Sequence, residues 1–256
     1  MVNKCFAFLV VGGLVATMAA GQTAGGLVAK NNEAQGGGKL RAVKTCRLRG
    51  TLTVGGTEGG PLLMEFVPPS HKVRMEVTAK GVVDTRAYDG AIGWAVIRSE
   101  DKTEPERLTG DTLRAMKATA DFQGALFDPD AKGNEVEYLG KSELAGQPVY
   151  KLKLTRSDGE ERTVYLDAKT YLEIREDATH GSRSDTTEEV TTFSDFKTVD
   201  GITMPFTIET KSTESLGGGA IRMSGSVLIS IEKIELNVDI PASRFSKPAP
   251  ETKKDS

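Results

Sequence analysis

Apolar and polar residues alternate with a period of two along residues 147–177, in three short runs separated by tight turns. This period is typical of a strand with one buried and one solvated face, so the segment predicts an antiparallel meander of three strands. Asp158-Gly159 predicts a two-residue hairpin turn with a positive φ at both positions. The predicted buried face carries Tyr150, Leu152, Leu154, Val164 and Leu166. The predicted solvent face carries Lys151, Lys153 and Glu173.

The same alternation continues on both sides of this meander. Residues 46–97 and 190–238 contain further runs of period two, divided by turns rich in glycine and proline. Asp89-Gly90 and Asp200-Gly201 are two more hairpin signals. The predicted inner positions of the first half are Met64, Phe66, Val73, Met75, Val77, Trp94 and Val96.

Two segments break the alternation with helical spacing. Residues 24–44 predict two short helical pieces hinged at Gly36-Gly37-Gly38, because each glycine lowers helix stability by about 1 kcal/mol. Residues 105–127 predict a helical insertion over one mouth of the sheet, with Leu113, Met116 and Phe122 as lid residues. The chain is therefore predicted to be mainly β with α insertions (α+β), in one curved antiparallel sheet of about 10–11 strands.

The first 21 residues have the pattern of a signal peptide: a basic start, an apolar run and small residues before Gln22. The alternative, a membrane anchor, is disfavoured because the apolar run is short and contains Gly12-Gly13. The predicted organisation is a signal peptide over residues 1–21, a single domain over 22–245 and a loose polar tail over 246–256. The mature protein is predicted to be exported and soluble.

Composition narrows the range of partners. The chain is 38% hydrophobic and 27% charged, and its net charge of -3 with interspersed signs disfavours a nucleic-acid-binding surface. Removal of the signal peptide leaves Cys46 as the one thiol, which excludes an internal disulfide. We interpret Cys46 as a small buried hydrophobic residue rather than a nucleophile, because neither histidine is near it in sequence.

Sequence motifs for catalysis, phosphate loops and dinucleotide binding are absent from the chain. His71 and His180 lie in polar segments near turns and are interpreted as solvated. Residues 128–133 open like a calcium loop, but Lys132 and Leu139 occupy positions that require oxygen ligands, so a plain turn is favoured. We therefore predict a protein without catalytic residues, metal or cofactor.

The predicted shape of the sheet is the remaining indication of function. A curved sheet that is apolar on one face, under a movable helical lid, is a natural site for an acyl chain. At about 0.8 kcal/mol per buried methylene, a chain of roughly 14 carbons supplies on the order of 10 kcal/mol before ordering costs. One alternative is a sensor or protein-interaction module whose core is filled by its own side chains. A hydrolase that uses a serine or histidine is the third and least favoured alternative.

Several short motifs, in order from Leu27 to Phe245, resemble those of one known group. They are Gly37-Gly38-x-Leu40-x-x-Val43, Tyr88-Asp89-Gly90 before Trp94, Tyr165-Leu166-Asp167-Ala168-Lys169-Thr170, Val199-Asp200-Gly201-Ile202 before Pro205, and Asn237-Val238 before Phe245. With the signal peptide and helical insertion, this order resembles the outer-membrane lipoprotein-sorting proteins of the LolA/LolB-like superfamily and their periplasmic relatives.

The resemblance implies an unclosed β-barrel whose concave face is covered by helices, without cofactor or catalytic residue. It also implies a monomer in the periplasm that carries lipid or lipoprotein acyl chains, with envelope membrane proteins as donor or acceptor. Relatives of this shape also serve as sensors or binding modules, so the resemblance leaves that alternative open. The expected cavity wall is the set of apolar positions named above.

Overall fold

The computed structural model describes residues 22–98, 104–181, 185–216 and 220–249. The predicted signal peptide and residues 250–256 of the predicted tail lie outside the described residues. The described part contains the α-helices α1 (Ala24–Gln35), α2 (Gly38–Arg41) and α3 (Gly110–Ala120). Its strands are β1 (Cys46–Val54), β2 (Thr57–Val67), β3 (Lys72–Ala79), β4 (Val82–Tyr88), β5 (Gly93–Arg98), β6 (Glu106–Arg107), β7 (Glu135–Leu144), β8 (Gln147–Thr155), β9 (Glu161–Asp167), β10 (Glu173–Gly181), β11 (Asp185–Val199), β12 (Ile202–Leu216) and β13 (Ala220–Leu236).

All the strands of the described residues belong to one antiparallel sheet of 13 strands in the order β6-β5-β4-β3-β2-β1-β13-β12-β11-β10-β9-β8-β7. The sheet does not close, since β6 and β7 form its two edges. This confirms the predicted fold class, with 13 strands rather than 10–11. One additional strand, β6, lies in the segment predicted to be helical, where only α3 forms a helix longer than one turn.

The Asp-Gly turns differ from one another. Asp200 and Gly201 both have a positive φ, at 52° and 81°, as a tight hairpin requires. At Asp158-Gly159 only Gly159 has a positive φ, so the prediction for Asp158 is wrong. The reason is local: an oxygen of the Asp158 carboxylate accepts a 3.1 Å hydrogen bond from the backbone N–H of Glu160, which stabilises a longer turn.

The first helical segment divides at the predicted glycines. Thr23 caps α1, because its hydroxyl oxygen accepts a hydrogen bond from the N–H of Gly26 at 3.1 Å. The helix ends at Gly36, whose φ of 119° favours glycine. A Cβ at Gly36 would lie 2.8 Å from the carbonyl oxygen of Gly201, so this glycine also allows α1 to approach β12 closely.

The helices pack on one face of the sheet, which we call the concave face. Helix α1 contacts β7 and β12, and α3 contacts β3 and β4. The buried apolar residues of this face form two clusters. The α3 cluster contains Leu40, Val43, Cys46, Leu48, Leu62, Met64, Phe66, Val73, Tyr88, Leu108, Met116, Ala120, Phe127, Ile202, Phe206, Ile231 and Ile234. The α1 cluster contains Leu27, Val28, Ala125, Leu126, Tyr150, Leu152, Leu154, Val164 and Leu166.

Candidate binding site on the concave face

The predicted wall positions of the meander lie together in the α1 cluster, under α1. Leu152, Leu154, Val164 and Leu166 are all 0% exposed, and Tyr150 is 6% exposed. Leu27 and Val28 of α1 belong to the same cluster, so these side chains cover the meander. This half of the concave face is therefore filled by the protein's own residues.

Helix α1 is held on the meander by polar contacts at its edge. The amide of Asn31 donates a 2.8 Å hydrogen bond to the carbonyl oxygen of Tyr171. The Lys30 ammonium lies 4.7 Å from the centre of the Tyr171 ring, and that ring stacks on Tyr150 with centroids 5.8 Å apart. These contacts fix α1 on the part of the sheet that the sequence marks as the meander.

The predicted positions on β2 and β3 lie in or against the α3 cluster. Met64, Phe66 and Val73 are buried, whereas Met75 and Val77 are half-buried at the border of the cluster. The three predicted lid residues also reach this cluster: Met116 is buried, and Leu113 and Phe122 are partly buried against it. The rings of Phe66 and Phe122 have centroids 5.3 Å apart. The structure thus brings the predicted lid and this part of the predicted wall together.

Trp94 and Val96 lie on the other face of the sheet. Trp94 pairs with Ala87 and Val96 with Thr85, and these two residues alternate with Tyr88 and Arg86, which face the concave side. Trp94 and Val96 form a separate buried cluster with Ala87. The Trp94 indole N–H donates a 2.7 Å hydrogen bond to the carbonyl oxygen of Phe245. Their predicted place in the concave wall is wrong, because β5 is covered on its convex side by the C-terminal segment.

A strip of incompletely covered apolar residues crosses the concave face beside the α3 cluster. Leu52, Met75, Val77, Ile208 and Ile229 are only partly buried there. Val54 and Val227 are 51% and 37% exposed and face each other across β1 and β13. We call this set the apolar strip; it contains Leu52, Val54, Met75, Val77, Ile208, Val227 and Ile229. The alternation of β1, β12 and β13 carries this signal, but the wall positions predicted from the sequence lie on other strands.

The residues of the strip lie on four strands, β3, β1, β13 and β12, and β2 lies between β3 and β1. At about 4.8 Å between neighbouring strands, its length across the sheet is roughly 19 Å. On β4 it is bordered by an ion pair between Arg86 and Asp84, whose Nη2 and Oδ2 atoms lie 2.9 Å apart. Asp84 pairs with Val77 and Arg86 with Met75, so these charges lie beside the end of the strip.

Charged residues also lie on the concave face of β9 and β10, which corrects the predicted solvent position of Glu173. A register shift against β9 between Glu173 and Arg175 places Glu173 opposite Leu166 and Glu176 opposite Val164. Both carboxylates therefore share the apolar side of the meander. The period-two pattern could not show this, because a bulge inserts one residue and reverses the faces that follow.

The buried carboxyl of Glu173 changes the electrostatics of this region. Its Oε1 atom is buried without a hydrogen-bond partner in the described structure. Burial, the charge of Glu176 and a hydrogen bond with Glu176 raise the pKa of Glu173 well above its usual value of 4.5. The Arg162 guanidinium lies 2.9 Å from Glu176 and 2.8 Å from Glu160, which holds the neighbouring carboxylates in place.

The cysteine, the histidines and the residues of the calcium-like loop do not form a reactive site. Burial raises the pKa of the Cys46 thiol to about 12, so the thiol is protonated at neutral pH. His71 is exposed at the end of a turn, and the Nε2 atom of His180 lies 3.8 Å from a Glu160 oxygen. Lys132 Nζ lies 2.6 Å from Asp121, inside the segment that begins like a calcium loop.

The described residues contain neither a metal-binding cluster nor a helix that could span a membrane. No group of three or more His, Cys, Asp or Glu side chains in this part of the chain is arranged to hold a metal ion. Within the same residues, no helix has the length and apolar character needed to cross a membrane.

Comparisons with known proteins identify similar solved structures but no similar sequence. No protein-family model matches the sequence, and no curated protein matches it. A LolA superfamily protein from Nitrosomonas europaea is 13% identical, with a TM-score of 0.56 over 89% of this chain and 99% of that chain. A DUF1329 family protein from Desulfovibrio piger is 12% identical, with a TM-score of 0.55 over 87% of this chain and 97% of that chain.

A third structure, an outer membrane lipoprotein-sorting protein domain from Vibrio parahaemolyticus, is 10% identical, with a TM-score of 0.51. It aligns with 85% of this chain, and 97% of its own length is covered. At these identities the likeness concerns the fold. The chain therefore has the unclosed β-barrel fold of LolA superfamily and lipoprotein-sorting structures.

Proposed function

We propose that this protein is a non-catalytic carrier or binding protein for the acyl chains of lipids or lipoproteins. The observation that carries the proposal is the apolar strip, whose residues stay partly exposed on the concave face. An acyl chain would lie along Leu52, Ile208 and Ile229, with its polar end near the Asp84–Arg86 ion pair.

The binding site in this proposal is narrower than the predicted trough. The meander positions are already covered by α1, so they belong to the protein core and do not contact the acyl chain in this proposal. The α3 lid residues Leu113 and Phe122 are only partly buried, and Gly110 and Gly124 on either side of them have positive φ values of 54° and 80°. Displacement of α3 would then add Phe66 and Val73 to the available surface.

The energy available is sufficient for useful affinity. Each methylene that leaves water contributes about 0.8 kcal/mol, so roughly 14 carbons supply on the order of 10 kcal/mol before ordering costs. The strip is open on one side, so a bound chain would gain the full amount only if α3 closed over it. This dependence makes α3 the element that sets the affinity.

Export to the periplasm and action as a monomer are parts of the same proposal. They are supported by the signal-peptide pattern of residues 1–21 and by the fold of the lipoprotein-sorting domain to which this structure is similar. Envelope membrane proteins would be the donor and acceptor of the acyl chain. No nucleic acid or cofactor has a role in this function.

Native mass spectrometry of protein purified from its own envelope tests the proposal directly. We expect co-purifying lipid, and we expect the delipidated protein to take up a fluorescent fatty acid. Val54→Asp should weaken uptake strongly, because it places a charge in the apolar strip at a site exposed enough to keep the fold. The matched control is Leu139→Asp, since Leu139 is 46% exposed outside the strip.

A lipid-free mass together with no uptake would refute the proposal, as would equal uptake by the Val54→Asp variant and wild type. The second candidate, a sensor or interaction module with a self-filled core, is favoured by the complete burial of the meander side chains. It predicts that Leu152→Asp destroys folding and that no variant loses a ligand while it remains folded.

A further inference from the structure

The convex face carries a cavity that the acyl-chain proposal does not use. It lies where residues 243–248 cross β3 and β5, and its volume is about 250 Å³. Trp94 forms part of its wall and fixes the crossing segment through the 2.7 Å hydrogen bond to the Phe245 carbonyl oxygen. The residues around the cavity are Arg74, Trp94, Arg98, Ser243, Arg244, Ser246, Lys247 and Pro248.

The cavity has an excess of positive charge. Arg74, Arg98, Arg244 and Lys247 line it, and no carboxylate of the described residues forms an ion pair with Arg98 or Lys247. Glu65, beneath the cavity, is shared by three guanidinium groups, those of Arg47, Arg74 and Arg244, and Arg74 also pairs with Glu76. These two carboxylates do not neutralise the three arginines together with Arg98 and Lys247.

The guanidinium group of Arg74, at the wall of the cavity, has incomplete hydrogen bonding. The residue is only 7% exposed, and its Nη1 atom is buried without a hydrogen-bond partner among the described residues. Nη1 lies 3.9 Å from the Glu65 carboxylate, which is beyond hydrogen-bond distance, while Nη2 is occupied by Glu76. A buried guanidinium N–H without an acceptor is costly, so Arg74, which lines the cavity, retains unused hydrogen-bonding capacity beside it.

We propose that this cavity is a binding site for a phosphate group. Guanidinium groups bind the oxygens of phosphate in pairs, and the hydroxyls of Ser243 and Ser246 supply further donors at the same cavity. Trp94 and Pro248 provide an apolar wall beside these donors, which suits a phosphate ester with an organic substituent. The shared chemistry is that of a free phosphate, a phosphate ester or a phospholipid head group.

The test compares the wild type with Arg98→Gln/Lys247→Gln, which removes two cations that form no ion pair within the part of the chain that the structure describes. Arg74 is left intact, because its loss would leave Glu65 and Glu76 less well paired and would affect folding. The matched control is Lys80→Gln/Arg114→Gln, an equal change in charge at exposed sites away from the cavity. Calorimetry measures binding of inorganic phosphate, and co-sedimentation measures binding to phosphatidylcholine vesicles with and without phosphatidylglycerol.

We expect the cavity variant to bind phosphate about tenfold or more weakly than the control, because charge-assisted hydrogen bonds are lost. Binding to phosphatidylglycerol vesicles with the same dependence on Arg98 and Lys247, but without binding of free phosphate, supports the site and identifies its source as a lipid head group. The proposal is overturned if wild type binds neither ligand, or if the cavity and control variants bind equally. Because fatty-acid uptake is measured separately, a failure here is distinct from a failure of the acyl-chain proposal.

Discussion

Replacement of Glu65 by glutamine should destabilise this protein more than its single-atom change suggests. Glu65 is 1% exposed, and one carboxylate oxygen accepts a 3.0 Å hydrogen bond from Arg47 Nε. The other oxygen pairs with Arg244 and faces Arg74 at 3.9 Å. The variant keeps the shape but removes the charge and turns an amide N–H₂ toward a guanidinium donor.

The magnitude follows from the burial of the partners. Loss of one member of a buried ion pair costs about 3–5 kcal/mol, because the remaining charge is left uncompensated. Here the side chains of Arg47 and Arg244 are 22% and 34% exposed, so water can replace part of the lost interaction. The side chain of Arg74 is only 9% exposed and has little access to water, but it keeps its ion pair with Glu76, so the low end of this range applies. We therefore expect a loss of about 3 kcal/mol, equivalent to a Tm lower by on the order of 10 °C.

Urea unfolding followed by the fluorescence of Trp94, the one tryptophan of the chain, measures this loss. Glu235→Gln is the control, since the half-buried Glu235 contacts two exposed side chains, Lys233 and Arg49, and its loss should have little effect. Equal losses in Glu65→Gln and Glu235→Gln would refute this reasoning.

Three further outcomes are expected. Glu173→Gln should stabilise the protein near neutral pH but not below about pH 4.5. The raised pKa of Glu173 makes its contribution to stability complete at low pH, and this contribution is lost as the pH rises through the folded-state pKa. Chemical unfolding at both pH values measures this, and an effect that does not change with pH would contradict it. Cys46 should resist a thiol reagent in the native protein and react after unfolding, since burial raises its pKa to about 12; rapid native labelling would contradict this. Leu152→Ala should lower the free energy of unfolding by about 3 kcal/mol, whereas Leu139→Ala should have little effect, because these leucines are 0% and 46% exposed. Equal losses of stability in the two variants would show that burial does not determine the effect of the substitution.

The local pattern of the sequence predicted most of the strands, the break at Gly36-Gly37 and the buried face of the meander. It also placed Phe66 and Val73 correctly on the covered face, because alternation within one strand depends only on the backbone period. The same reasoning failed at Glu173, where a bulge reverses the faces. Single-strand periodicity contains no information about such an insertion.

The sequence by itself determined that this chain forms a one-sided antiparallel sheet with helical pieces, since strand periodicity and turn residues act over a few positions. Only the tertiary structure decided which side of that sheet each apolar run covers. Trp94 alternates like a residue of the concave wall, yet the C-terminal segment buries it on the convex face through contact with Phe245. The apolar strip and the Arg74 cavity likewise depend on residues that are distant in sequence, and long-range packing decides what remains uncovered.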